Sequence, residues 1–135
     1  MRVFRIVGII VILSVCFTMA GFAQASAPPS SKMSGVFEAK DRNFLRPAFV
    51  NGVNHYLRRY SPELISQNDN SVKMTAKYNY LLNIELIIGR NEYEVVVSVA
   101  QDKYNSKKAQ TICVKIAGGV YRSFINTLAR DTKSP

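Results

Sequence analysis

Between Tyr78 and Val99 the chain reads YNYLLNIELIIGRNEYEVVVSV, two alternating runs separated by Gly89, Arg90 and Asn91. In an extended backbone successive side chains point to opposite faces, so Tyr78, Tyr80, Leu82, Ile84, Leu86 and Ile88 share one face. Asn79, Asn83 and Glu85 share the other with Leu81 and Ile87. A helix would scatter the same residues around its circumference. Tyr93, Val95, Val97 and Val99 repeat the alternation, and Gly-Arg-Asn is turn chemistry. The spacing predicts an antiparallel hairpin with one apolar face. The rest of the chain must cover that face.

The cover expected from the sequence is a helix over Pro47–Tyr60, PAFVNGVNHYLRRY. Val50, Val53, Leu57 and Tyr60 fall on one helical stripe, Pro47 suits a first turn, and Ser61-Pro62 ends the segment. Gly52 weakens the middle of that helix by roughly 1 kcal/mol against alanine. SVKMTA at 71–76 and QTICVKIA at 110–117 read as further strands, and Gly118-Gly119 as a turn or bulge. Residues 120–130 fit a last strand or a terminal helix. The fold class expected is α+β, an antiparallel sheet of four to five strands wrapped around one amphipathic helix, in a domain spanning 41–135.

The N-terminus is set apart from this. MRVFR carries two arginines, a 17-residue apolar run follows, and Ala23-Gln24-Ala25 offers small residues at a cleavage site. These are the parts of a secretory signal over residues 1–25. A secreted protein is expected, extracellular or periplasmic, with no membrane span after cleavage. Residues 26–40 read as a flexible arm, since SAPPSSKMSG is too poor in apolar groups to pack. Cleavage leaves 110 residues with 16 basic and 9 acidic side chains, a formal charge of +7. That balance draws a domain to an anionic surface or an acidic protein. No run of Lys and Arg exceeds two residues, so no nucleic-acid partner is expected. Cys113 would be the one cysteine of the exported chain, either a buried inert thiol or half of an intermolecular bridge.

The residues that carry chemistry are few. His55 is the single histidine, with no partner at metal-ligand spacing, so neither metal nor cofactor is expected. The nine carboxylates are scattered and no glycine-rich loop joins a strand to a helix, which argues against an enzyme.

NYLLNIEL at Asn79–Leu86 resembles the stretch after the first inhibitory loop of secreted cystatins, inhibitors of papain-like cysteine proteases. NGVNHYLRRYS is similar to the end of the cystatin helix, and Gly35 falls where that family places the glycine of its N-terminal arm. The resemblance covers residues 35 to about 89. It implies a cystatin-like fold and a three-part wedge that blocks a protease cleft: Gly35; the first loop Lys73, Met74, Thr75, Ala76 and Lys77; and a second loop near Gly118, Gly119, Tyr121 and Arg122. Lys73 and Lys77 replace the family's glutamine and glycine, and the chain has no tryptophan for the second loop. The resemblance therefore implies weak or altered inhibition of a papain-like protease. The alternative is a non-inhibitory basic binding module for an anionic partner.

Overall fold

A computed structural model describes residues 28–133. The signal segment 1–25 and its cleavage site lie outside the described residues. The order of elements is β1 (Ser30–Val36), α1 (Arg42–Tyr56), β2 (Glu63–Asn68), β3 (Ser71–Tyr78), β4 (Tyr80–Ile88), β5 (Glu92–Val99) and α2 (Ser106–Lys133). Short 3-10 turns at Ala39–Asp41 and Arg58–Tyr60 flank α1. The five strands form one antiparallel sheet in the order β1-β5-β4-β3-β2. The fold is α+β, as the alternation predicts, with both helices on the same face of the sheet.

The period-2 pattern decides which face that is. Val72, Met74 and Ala76 of β3, Leu82, Ile84, Leu86 and Ile88 of β4, and Tyr93, Val95, Val97 and Val99 of β5 are buried beneath the helices. The intervening residues stay open to solvent or half-buried. Leu45, Ala48, Phe49 and Val53 of α1 meet Ile116, Val120 and Phe124 of α2 in the same core. Phe124 lies edge-on to both Phe49 and Tyr93, at 5.8 and 5.2 Å between centroids.

Four expectations need correction. Ser30–Val36 is not a loose arm: it pairs along β5 from Ser30 opposite Ser98 to Val36 opposite Glu92. Its backbone bonds, plus a 2.9 Å bond from Gln110 Nε2 to the Ser30 carbonyl, hold a strand whose side chains give no sign of one. The first helix begins at Arg42 and places Pro47 in its interior, because Leu45 is buried and extends the apolar stripe towards the N-terminus. It ends at Tyr56, leaving Tyr60 in the 3-10 turn.

Third, QTICVKIA and Gly118-Gly119 are neither strand nor turn but lie inside the 28-residue helix α2. Ala109, Ile112, Cys113, Ile116, Ala117, Val120 and Phe124 are buried at helical spacing, and that stripe runs through both glycines. Residues 120–130 are helical. Fourth, Lys73–Lys77 is the middle of β3 rather than a loop, since Met74 and Ala76 point into the core between outward lysines. The connection to β4 is Asn79, whose φ of 63° is a left-handed conformation that asparagine tolerates.

Candidate functional site

The charges divide between the two layers. In α1 and the 3-10 turn behind it stand Arg42, Arg46, Arg58 and Arg59 with no carboxylate. In α2, six cations stand against Asp131 alone. The strands carry Lys32, Lys73 and Lys77 against Glu63, Glu85, Glu92 and Glu94. On the sheet these charges offset one another: Lys32 Nζ is 3.7 Å from Glu94, and Lys73 stands across from Glu85 in the β3–β4 ladder. The positive charge of the molecule is therefore concentrated in its helical layer.

Not all of those cations are free. Arg42 donates to the Gly89 carbonyl and to Asn70 Oδ1, each at 2.8 Å, and Arg46 lies 4.0 Å from Asp69. Both arginines clamp hairpin turns to the start of α1. Lys108, Lys115 and Arg122 are exposed and follow one another at seven-residue spacing, a single stripe that starts at the opposite end of the layer and runs along α2.

Where that stripe meets the sheet there is a groove of about 510 Å³, lined by Tyr78, Asn79, Asn105, Thr111, Ile112 and the lysines 107, 108 and 115. Its walls are built locally. Gln101 Oε1 accepts from Leu81 N–H at 2.8 Å and Tyr80 Oη accepts from Asn105 N–H at 3.0 Å, so the loop before α2 is pinned to β4. Asn105 then caps α2, its Oδ1 accepting from Lys108 N–H at 2.9 Å. Lys115 Nζ donates to Tyr78 Oη at 2.7 Å and lies 5.1 Å from the centre of that ring. The bond to Tyr78 raises the Lys115 pKa, so the ammonium stays charged.

Tyr60 packs edge-on against Tyr78 at 4.7 Å, and the adjoining hollow beside Tyr60 is lined by His55, Tyr56, Arg58 and Arg59. The result is a surface of lysines, arginines and tyrosines at one end of the molecule. No carboxylate lines the groove, and among the described residues its lysines enter no ion pair. Such a surface attracts anions and offers them ammonium donors. No group of three or more His, Cys, Asp or Glu among the described residues is placed to hold a metal.

The residues of the expected wedge are not gathered into one. Gly35 lies in the row Gly35–Tyr93–Ile88, where an added Cβ would fall inside the Tyr93 phenol. Lys77 pairs with Leu81, seven residues away along β4 and therefore about 23 Å distant at strand rise. Lys73, Thr75 and Lys77 face outward from the open side of the sheet, while Met74 and Ala76 are core. Gly118, Gly119, Tyr121 and Arg122 belong to α2, on the other side of that sheet. Gly119 supports the cationic surface indirectly, since only a missing Cβ lets the Tyr56 ring lie on it. Tyr121 packs on Tyr93 at 6.4 Å, and Arg122 is exposed. Cys113 is fully buried, and its burial raises the thiol pKa.

Sequence reasoning missed Lys107, Lys108, Lys115, Tyr60, Tyr78 and Asn105. The signal was present in the 108-115-122 spacing of Lys, Lys and Arg, but assigning 110–117 to a strand concealed it. No protein-family model matches the chain, and no curated protein matches it in sequence.

Proposed function

We propose that this is an exported, non-catalytic binding module that lays its helical layer on an anionic lipid surface. The observation that carries this reading is the segregation of charge, ten cations against one carboxylate in the two helices and the Arg58–Tyr60 turn, beside a sheet whose charges offset. Each Lys or Arg held near an anionic membrane contributes about 1 kcal/mol, and the attraction fades beyond the Debye length. Lipid is favoured over a purely polar polyanion because exposed apolar groups stand among the cations. Phe44 is 41% and Val114 54% exposed on the helices. That mixture of cationic and apolar groups is what interfacial binding uses. Among the described residues no helix is long and apolar enough to cross a membrane. Protease inhibition gains no support from this geometry, because the three segments of the wedge lie on different faces and ends.

Co-sedimentation with vesicles tests the reading. Binding is expected to phosphatidylglycerol-containing vesicles and not to pure phosphatidylcholine, and it should weaken as salt is added. Arg58→Glu with Arg122→Glu should lower affinity by more than about tenfold, from the loss and reversal of two charges. Lys73→Glu with Lys77→Glu, on the open sheet face, should leave it within about threefold. Equal losses from the two pairs would mean net charge alone drives binding, and the oriented reading would fall.

A further inference from the structure

The groove at the start of α2 has features that a merely cationic face does not need. Its base is apolar: Ile112 is buried there, and the Tyr78 ring stands beside it with Tyr60 packed on its edge. The apolar path continues along the helix, because Lys107 and Thr111 also line an adjoining hollow of about 420 Å³ with Gln110 and the exposed Val114. The cations sit at the rim of this floor. Lys107 and Lys108 enter no ion pair among the described residues, and Lys115 is held in place by its bond to Tyr78. The end of the helix adds little of its own, since Asn105 already caps it.

We propose that this groove is a discrete site for a phosphate ester carrying an apolar substituent. Lys107, Lys108 and Lys115 would hold the phosphate, and Tyr78 and Ile112 would receive the carbon attached to it. The inference rests on the binding-module reading and gives it a specific ligand chemistry, one shared by a membrane phospholipid and by a soluble alkyl phosphate. Three point-charge donors suit a phosphate group, whose oxygens accept from several sides. A volume near 510 Å³ exceeds what a bare phosphate fills and lies in the range of small-molecule pockets. Apolar contact beneath the ester then discriminates it from the free ion, by roughly fourfold in affinity for each methylene buried.

The test is a nitrogen-15 NMR titration of the mature chain with octyl phosphate below its micelle concentration, and with inorganic phosphate. Octyl phosphate should saturably shift the amides of Asn79, Asn105 and Ile112, and bind at least about tenfold more tightly than inorganic phosphate. Lys107→Ala with Lys115→Ala should weaken it by about tenfold or more, while the same spectra report that the fold is intact. Arg58→Glu with Arg122→Glu, the pair expected to weaken vesicle binding, should leave the octyl phosphate affinity within about threefold. Equal affinity for inorganic phosphate, shifts spread evenly over the helical layer, or indifference to loss of the lysines would overturn the site. If vesicles bind while octyl phosphate shifts no groove amide, the docking face stands and this site falls. If octyl phosphate fills the groove while vesicles stay unbound, the site stands with a soluble ligand.

Discussion

At Gly52 the two helices come within backbone contact. A Cβ added there would lie 2.9 Å from Phe124 N and 3.0 Å from Phe124 Cα, and Ser123 Oγ donates to the Gly52 carbonyl at 2.9 Å. Glycine inside a helix normally costs about 1 kcal/mol against alanine. Gly52→Ala should nevertheless destabilise the protein, by about 1–3 kcal/mol, because the backbone it meets cannot swing aside as a side chain would. A lower urea midpoint at unchanged slope is the expected result, and a raised midpoint would show that the helices do not approach this closely. The sequence marked Gly52 only as a weak point; the reason for it lies 72 residues away in the backbone of Phe124. Cys113 is a similar case. Its side chain is fully buried, so of the two roles open to it the structure supports the inert thiol.

Among the elements, α2 shows where a local pattern misleads. Residues 111–117 alternate well enough to imitate a strand, with Ile112, Val114 and Ile116 on one side. The helix separates them: Ile116 is 1% exposed and Val114 54%. Val114→Lys should therefore change stability by no more than about 0.5 kcal/mol, as exposed substitutions usually do, while Ile116→Ala should cost about 2–5 kcal/mol. Comparable losses at both positions in chemical denaturation would restore the strand. The opposite error occurred at β1, whose sequence SSKMSGV has no periodicity. It becomes a strand because β5 offers an unpaired edge and backbone donors and acceptors need partners whatever the side chains are. β2 remains the edge on the other side, exposed throughout and bulged between Leu64 and Ser66.

On the scale of the whole molecule, sheet and helices are joined through Tyr93, 3% exposed and packed against Phe37, Tyr121 and Phe124. Burial and then the hydrogen bond with Tyr121 hold its hydroxyl pKa well above the ordinary 10.0. A raised folded value means the neutral phenol is favoured more strongly in the native state than in the unfolded chain. Its contribution to stability is complete below pH 10 and is lost as pH rises towards the folded value, with a slope of up to about 1.4 kcal/mol per pH unit. Urea midpoints measured from pH 9 to 11 should fall, and Tyr93→Phe should flatten the upper part of that decline. An unchanged alkaline slope in Tyr93→Phe would place the titrating group elsewhere.

Whatever depends on backbone period was legible in the order of residues. That order assigned Leu82, Ile84, Leu86 and Ile88 to the buried face with Val95, Val97 and Val99, placed the turn at Gly89–Asn91, and required a helix carrying Val53 and Leu57 to cover them. These follow from 2.0 and 3.6 residues per repeat, which neighbours in the chain express without outside help. The rest depends on contacts between distant segments. A polar segment became β1 because an edge was free, and two glycines stayed helical within a buried stripe that runs the length of α2. Lysines from the first three turns of that helix came to share a groove with a tyrosine from β3. Among the described residues the cations recur from Lys32 to Lys133, in strands, helices and loops alike. They collect on one layer because the carboxylates of the sheet answer its lysines while the helices carry nearly none, and that division appears only once the layers are stacked.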